Sequence, residues 1–489
     1  MIPDHRRAII ATIIAMSVTA NTFGIELPFD LESGASAVEV HLDGADVAVT
    51  CAEREDVGLI IRPRLAEGGA GAGVAVSDRG STLSITQAED ATGPSEVVIE
   101  LAVPEDLPVT VVGSRLNIVR TCIAVATDEP DRPIPIEPTP GVGTSTADHV
   151  TAQPASLFEL EKSTVESRGS GSARYTGTDN SLTLIGTNGD TELAVSGSVV
   201  DVSDHRGSLV LEVNNTEVTL RSAEGKLAAK LDGGALNLVE TVGETTIQLI
   251  EANLDVDNHR GVISVTASLS DLALRGCVSD RLAITGDDSV VRLDGGTATG
   301  TVNLTGGSLE VDGWNGRLML QGGNGADLEA AGVEGDVVVS LDDGSLELRG
   351  VTGHTRATAS SSNFTASNLK SIALSAQDCV IDAREIPEVK LIRLANGELT
   401  LGASSTRGKQ RLELSGEVWA RIELPTPCEV NLLGEDAASA DVDVRGCDLH
   451  GGGGPGTQRP QRRLRGQSLA ILDVTLGAGT RLRVEGRPS

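Results

Sequence analysis

Aromatic residues are almost missing from this sequence, which holds 4 Phe, 2 Trp and 1 Tyr among 489 residues. A wide globular core recruits aromatics for the large area each one buries. Their scarcity points instead to a narrow core of medium-sized aliphatic side chains. Met is also rare at 3, and the 39% hydrophobic share rests mainly on Val, Leu, Ile and Ala. Basic residues are sparse: lysine stands only at 162, 226, 230, 370, 390 and 409, the one dense basic run is 459–465, and the formal net charge is −31. Binding phosphates needs clustered Lys and Arg, so nucleic acid is excluded as a partner. The acidity serves solubility. No sustained 3.6-residue period runs through the chain, and no apolar stretch reaches the length of a membrane helix.

Residues 1–20 read as a short basic stretch (MIPDHRR), an apolar stretch (AIIATIIAMSV) and small residues at Val18 and Ala20. That layout predicts a secretory signal removed near Asn21. No cysteine follows the apolar run, so no lipid anchor is expected there. The mature chain is expected outside the cytoplasm (periplasm, cell surface or medium) with no transmembrane segment.

What is abundant is repetition. Apolar residues that open a short strand fall at Val165, Leu182, Val200, Val218, Leu236, Leu254, Leu272, Val291, Leu309, Leu328, Leu346, Phe364, Ile381 and Leu399, spaced 17 to 19 residues apart. In most coils a second apolar residue follows two positions later, which marks a strand with one buried face. A second strand starts about nine residues into each coil, as in Val337–Leu341. Turn residues punctuate the coil at two places. Asn214-Asn215, Asp232-Gly233-Gly234, Asp287-Asp288 and Asp342-Asp343-Gly344 precede the first strand, and a glycine stands between the strands at 189, 207, 225, 243, 261, 316, 335 and 353. A glycine recurring at one corner implies positive φ or a close approach to the next coil. Coils this short leave no room for a crossover helix, so each strand is expected to pair in parallel with its equivalents in the neighbouring coils. The fold class expected is therefore all-β, a right-handed parallel β-solenoid of about 18-residue coils, its hand following the general preference of parallel connections. Fourteen such coils would measure about 65 Å along the axis.

The expected organisation is a signal peptide (1–20), an N-terminal β cap with the first coils (21–126), a Pro-rich linker or loop (127–156), the solenoid repeats (157–449), a Gly/Arg-rich loop (450–467) and C-terminal closing strands (468–489). Strands of the first region, such as VEVHL and EVVIELAVP, carry no 18-residue register. A cap is expected because an exposed solenoid end is a sheet edge open to other chains.

Stretches such as SLELRGVTG (345–353), SLEVDGWNGRLMLQGGNG (308–325) and EVTLRSAEGKLAAKLDGG (217–234) resemble the bacterial adhesin-type family that includes the head GIN domains. The lead-in GADVAVT followed by EVVIELAVPEDLPVTV is similar as well. The resemblance covers most of the mature chain and implies an exported β-solenoid, adhesin-like and without a catalytic motif to carry over.

Several side-chain groups are candidates for chemistry. Cys428 and Cys447 are 19 apart, about one coil, and are expected to bridge; Cys51 and Cys122 are expected to join strands of the cap. Cys277 and Cys379 stand more than five coils apart, beyond the reach of a disulfide, and are expected as buried small hydrophobes. The DHRG and NHRG segments around His205 and His259 share a corner three coils apart, too far for a common zinc ion, and their histidines are expected exposed in turns. GGNGAD (322–327) resembles half of a calcium-binding nonapeptide but occurs once. The outward row of the first strands places Glu310, Glu329 and Glu347 on consecutive coils, where like charges about 4.8 Å apart repel. A divalent cation there is the candidate cofactor, and these three are the candidate metal ligands.

Together these features predict a non-catalytic cell-envelope or surface protein, adhesive or structural, with a surface or matrix polysaccharide or protein as partner. The alternative is a β-helix polysaccharide lyase or hydrolase. Such enzymes need paired carboxylates or a metal in a walled groove, whereas these coils are tight and Tyr175, Trp314 and Trp419 are scattered.

Overall fold

The computed structural model describes residues 27–31, 35–52, 57–63, 74–78, 81–87, 97–104, 107–122, 156–404, 409–433, 440–450 and 470–487. The signal segment, the Pro-rich stretch and nearly all of the Gly/Arg-rich run lie outside those residues. The described residues form 36 β-strands and no helix. The fold is a parallel β-solenoid of coils of about 18 residues, divided into two compact units, 1–231 and 232–489.

In the second unit the opening residues stack in register from Leu236 through Leu254, Leu272, Val291, Leu309, Leu328, Leu346, Phe364 and Ile381 to Leu399. None of these is more than 2% exposed. Facing them across the core are the inward residues of the second strands, for example Ile263, Val265, Leu282 and Ile284. A buried Leu or Ile contributes about 1.5–3 kcal/mol, and the period of two delivers at least two to each strand. Trp314, the largest buried side chain of this unit, is 2% exposed. It fits because Gly296, in register beside it, has no side chain: a Cβ there would lie 2.6 Å from the ring.

The corners explain the turn residues. Three positions before the opening residue the backbone is left-handed in nearly every coil, at Asp179, Asn215, Glu251, Asp288, Asp343, Asp378 and Asn396 among others. Four positions after it a second left-handed column runs through Asp204, Ser222, Glu240, Asn258, Asn368 and Glu385, with glycine in most other coils. Asn, Asp and Gly tolerate this conformation best. The glycine column seven positions after the opening residue meets both requirements at once. Gly261 has φ 129°, and a Cβ on it would come within 2.1 Å of the Gly243 carbonyl oxygen.

Buried polar side chains close the tight corner before the first strand. In the first unit the Leu116 N–H donates to Ser163 Oγ, Ser163 N–H to Asn180 Oδ1 and Asn180 N–H to Ser198 Oγ, each at 3.0 Å. Each hydroxyl in turn donates to the carbonyl two residues before it, Ser163 to Glu161 and Ser198 to Ser196. The ladder satisfies backbone donors that the turn removes from the sheet.

At both termini the order of coils in the stack departs from the order in the chain. In the first unit, strands Ala37–Asp43 and Asp46–Ala52 are interposed between Val109–Ser114 with Asn117–Cys122 on one side and Thr82–Gln87 with Val97–Pro104 on the other. Beyond the latter pair the direction reverses: Val57–Pro63 runs antiparallel to Val97–Pro104, Leu27–Leu31 to Val57–Pro63, and Val74–Asp78 to Thr82–Gln87. In the second unit the last strands, Ala470–Leu476 and Arg481–Arg487, slot between Lys409–Pro425 and the strands Cys428–Leu433 and Asp441–Arg445. The expectation that 468–489 closes the end is therefore corrected. An interposed coil pairs both of its edges and buries Leu472 and Val474 completely, which a terminal coil could not do.

Candidate functional site

The outward positions of the first strands carry repeated pairs of acids and arginines. Residues i and i+2 on a strand share a face about 6.5 Å apart, so an acid followed by Arg two positions on can pair along its own strand. Glu166 with Arg168, Glu347 with Arg349 and Asp382 with Arg384 do this, and the Nε of each guanidinium donates to its carboxylate at 2.7, 2.6 and 2.8 Å. Where the own-strand partner is missing, the adjacent coil supplies one. Arg275 reaches Asp255 at 2.8 Å and Arg292 reaches Glu310 at 3.5 Å.

The three candidate ligands stand in register, Glu310 beside Glu329 and Glu329 beside Glu347. Their mutual repulsion is relieved by arginine. Arg349 binds Glu347 and also lies 3.7 Å from Glu329, while Arg292 takes Glu310. The Glu347 carboxylate holds the Arg349 guanidinium above its ordinary pKa, first through their hydrogen bond and then through charge, with a smaller contribution from Glu329. Among the described residues no group of three His, Cys, Asp or Glu side chains could hold a metal ion. In GGNGAD, Asp327 accepts the Ser345 hydroxyl, and Glu329, two residues beyond the motif, is engaged by Arg349.

An open depression in the first unit passes Asp43, Ser114, Glu159, Glu161 and Thr176. Asp43 is not a free base, because Arg115 and Ser114 both donate to it and the Arg115 hydrogen bond holds its pKa below the usual carboxylate range. Trp419 is 54% exposed, whereas Tyr175 and Trp314 are buried.

Cys51 is bonded to Cys122, in register on adjacent coils, and Cys428 to Cys447. Cys277 and Cys379 are buried and unpaired, and burial pushes the Cys277 thiol up to about 11. That makes it a poor nucleophile.

The histidines correct the expectation of turn exposure. His205 and His259 are 1% and 0% exposed. Each stands five positions after an opening residue, and its Nδ1 meets the hydroxyl of the equivalent threonine one coil away, Thr187 at 2.8 Å and Thr241 at 2.9 Å. The signal was present in the column itself. It reads Thr187, His205, Ala223, Thr241, His259, Cys277, Gly296, Trp314, Val333, Val351, Leu369, Ile386, without a single charged side chain.

Protein-family models, curated proteins and solved structures were all compared with the chain. None matches.

Proposed function

We propose that this protein is a non-catalytic, exported module of the cell envelope or surface, adhesive or structural, and adhesin-like in the sense of the family it resembles. The observation that carries the reading is the outward row, where carboxylates on successive tight coils are engaged by guanidinium groups rather than left free as acid or base. General acid–base chemistry on a sugar needs two carboxyls facing each other across a cleft with room for substrate. A row of ion-paired carboxylates instead offers repeated shallow contacts to an extended partner, a surface or matrix polysaccharide or protein. Each contact is weak, and affinity grows through multivalency. The two disulfides are compatible with export, since such bonds persist in oxidising compartments.

The test is to incubate the purified mature protein with a panel of acidic and neutral polysaccharides. Retention without reducing ends or unsaturated products is expected. Turnover abolished by a single substitution at Glu310, Glu329 or Glu347 would overturn the reading in favour of a lyase or hydrolase. Mass spectrometry of protein recovered from envelope or medium should find an N-terminus near Asn21, and an intact Met1 there would remove export from the proposal.

A further inference from the structure

Arg120 sits where a solenoid normally places an aliphatic side chain. Its strand, Asn117–Cys122, alternates exposed and buried positions, and Arg120 falls in the buried set beside Ile118 and Cys122, itself only 4% exposed. Its register neighbours are Val49 on one side and Ser167 on the other. Among the described residues it has no carboxylate partner and no hydrogen bond, although every exposed arginine of the outward row described above has a carboxylate. A guanidinium stays protonated at any accessible pH, and leaving such a charge buried and uncompensated is strongly destabilising.

Two buried hydroxyls stand on the adjacent coil. Ser167 and Tyr175 are 0% and 1% exposed, and neither Ser167 Oγ nor Tyr175 OH has a hydrogen-bond partner. They are inward residues of the two strands of one coil, Thr164–Ser170 and Ala173–Thr178. Gly171 links those strands, and a Cβ on it would stand 3.1 Å from Arg120 Nη2. The guanidinium tip thus reaches the corner between the strand of Ser167 and the strand of Tyr175. The ring of Tyr175 is fixed by stacking on Phe158 at 4.7 Å. Two buried, unpartnered hydroxyls on one coil and a donor-only cation on the next, its tip at the corner that joins their strands, call for an acceptor that carries negative charge.

We propose that Arg120, Ser167 and Tyr175 form a buried binding site for one small anion of halide size, held as a structural counter-ion inside the first unit. One acceptor ion neutralises the guanidinium and satisfies both hydroxyls, which a further aliphatic neighbour would leave unmet.

Bromide, whose anomalous scattering locates it, is the probe. Crystals of the full chain soaked in bromide should show a peak within hydrogen-bonding distance of Arg120. In solution, chloride should be compared with a bulky anion at equal ionic strength. The folded-to-unfolded ratio should rise about tenfold for each tenfold increase in chloride above its dissociation constant. That dependence should vanish in Arg120→Met and weaken in Ser167→Ala. No bromide at Arg120 in the native crystal, or the same chloride dependence in the native chain and Arg120→Met, would overturn the proposal. If Arg120→Met fails to fold, the native crystal and Ser167→Ala still decide it.

Discussion

Single positions carry most of the fold's specificity, and two of them give sharp tests. Gly261 combines a left-handed φ with a carbonyl oxygen where a side chain would begin. Gly261→Val should therefore destabilise the protein by about 2 kcal/mol or more, because strain and overpacking add. Asp255→Val, on the outward face, loses only an exposed pair with Arg275 and should cost under about 1 kcal/mol. Chemical denaturation of the two variants compares them directly, and equal losses would mean the corner is misplaced. The buried histidines give a pH dependence with a definite sign. Burial pushes both imidazoles below their ordinary 6.5, so the folded state holds them neutral. In the unfolded chain they take up protons as the pH falls below 6.5, and stability is lost from there downward while remaining flat above. The slope is at most about 1.4 kcal/mol per pH unit for each imidazole. Replacing both by Thr, the residue the same column uses at Thr187 and Thr241, should flatten the unfolding midpoint between pH 6.5 and 5. An unchanged slope would show that these histidines are not held neutral by the fold.

Elements were legible wherever chain order equals stack order. From Val165 to Leu399 a period of two inside a period of about 18 fixes which residues turn inward, because the coil has no room for any other arrangement. The corner residues were half legible. The left-handed column before the first strand and the Gly261 column stand out by composition, whereas Ser222, Glu240 and Glu385 in the second left-handed column do not signal positive φ by residue type. The candidate site was legible only as a row of acids: Glu310, Glu329 and Glu347 were placed in line, but Arg349 spanning two of them depends on side-chain reach that spacing does not encode. At the ends, register was hidden because the stacking partners are distant in sequence. Glu39 meets Thr110 across 71 positions, and Glu413 meets Thr475 across 62. The interposed C-terminal coil yields its own prediction. Removing residues 470–489 leaves Lys409–Pro425 and Cys428–Leu433 without their shared neighbour. Amide exchange should accelerate across 409–433 while the ladder around Ser163 and Ser198 keeps its protection. Undiminished protection at 409–433 would contradict the interposed order.

The whole molecule is a long chain that needs no wide core, since each added coil brings its own two buried rows and its own corner. This economy suits the composition, which has few aromatics and a net charge of −31. It also suits the proposed role, because a surface made of repeated paired charges lengthens without new chemistry. Everything rests on in-register stacking. Within the second unit it is tested most directly by distances between nitroxide labels on outward first-strand positions. Asp255→Cys is to be combined in turn with cysteine at Glu310, Glu347 and Asp382, which lie three, five and seven coils away; the native Cys277 and Cys379 are buried and react slowly. The stack predicts backbone separations of about 14, about 24 and about 34 Å, one strand spacing per coil. Distances that fail to grow in proportion to the number of coils would contradict it.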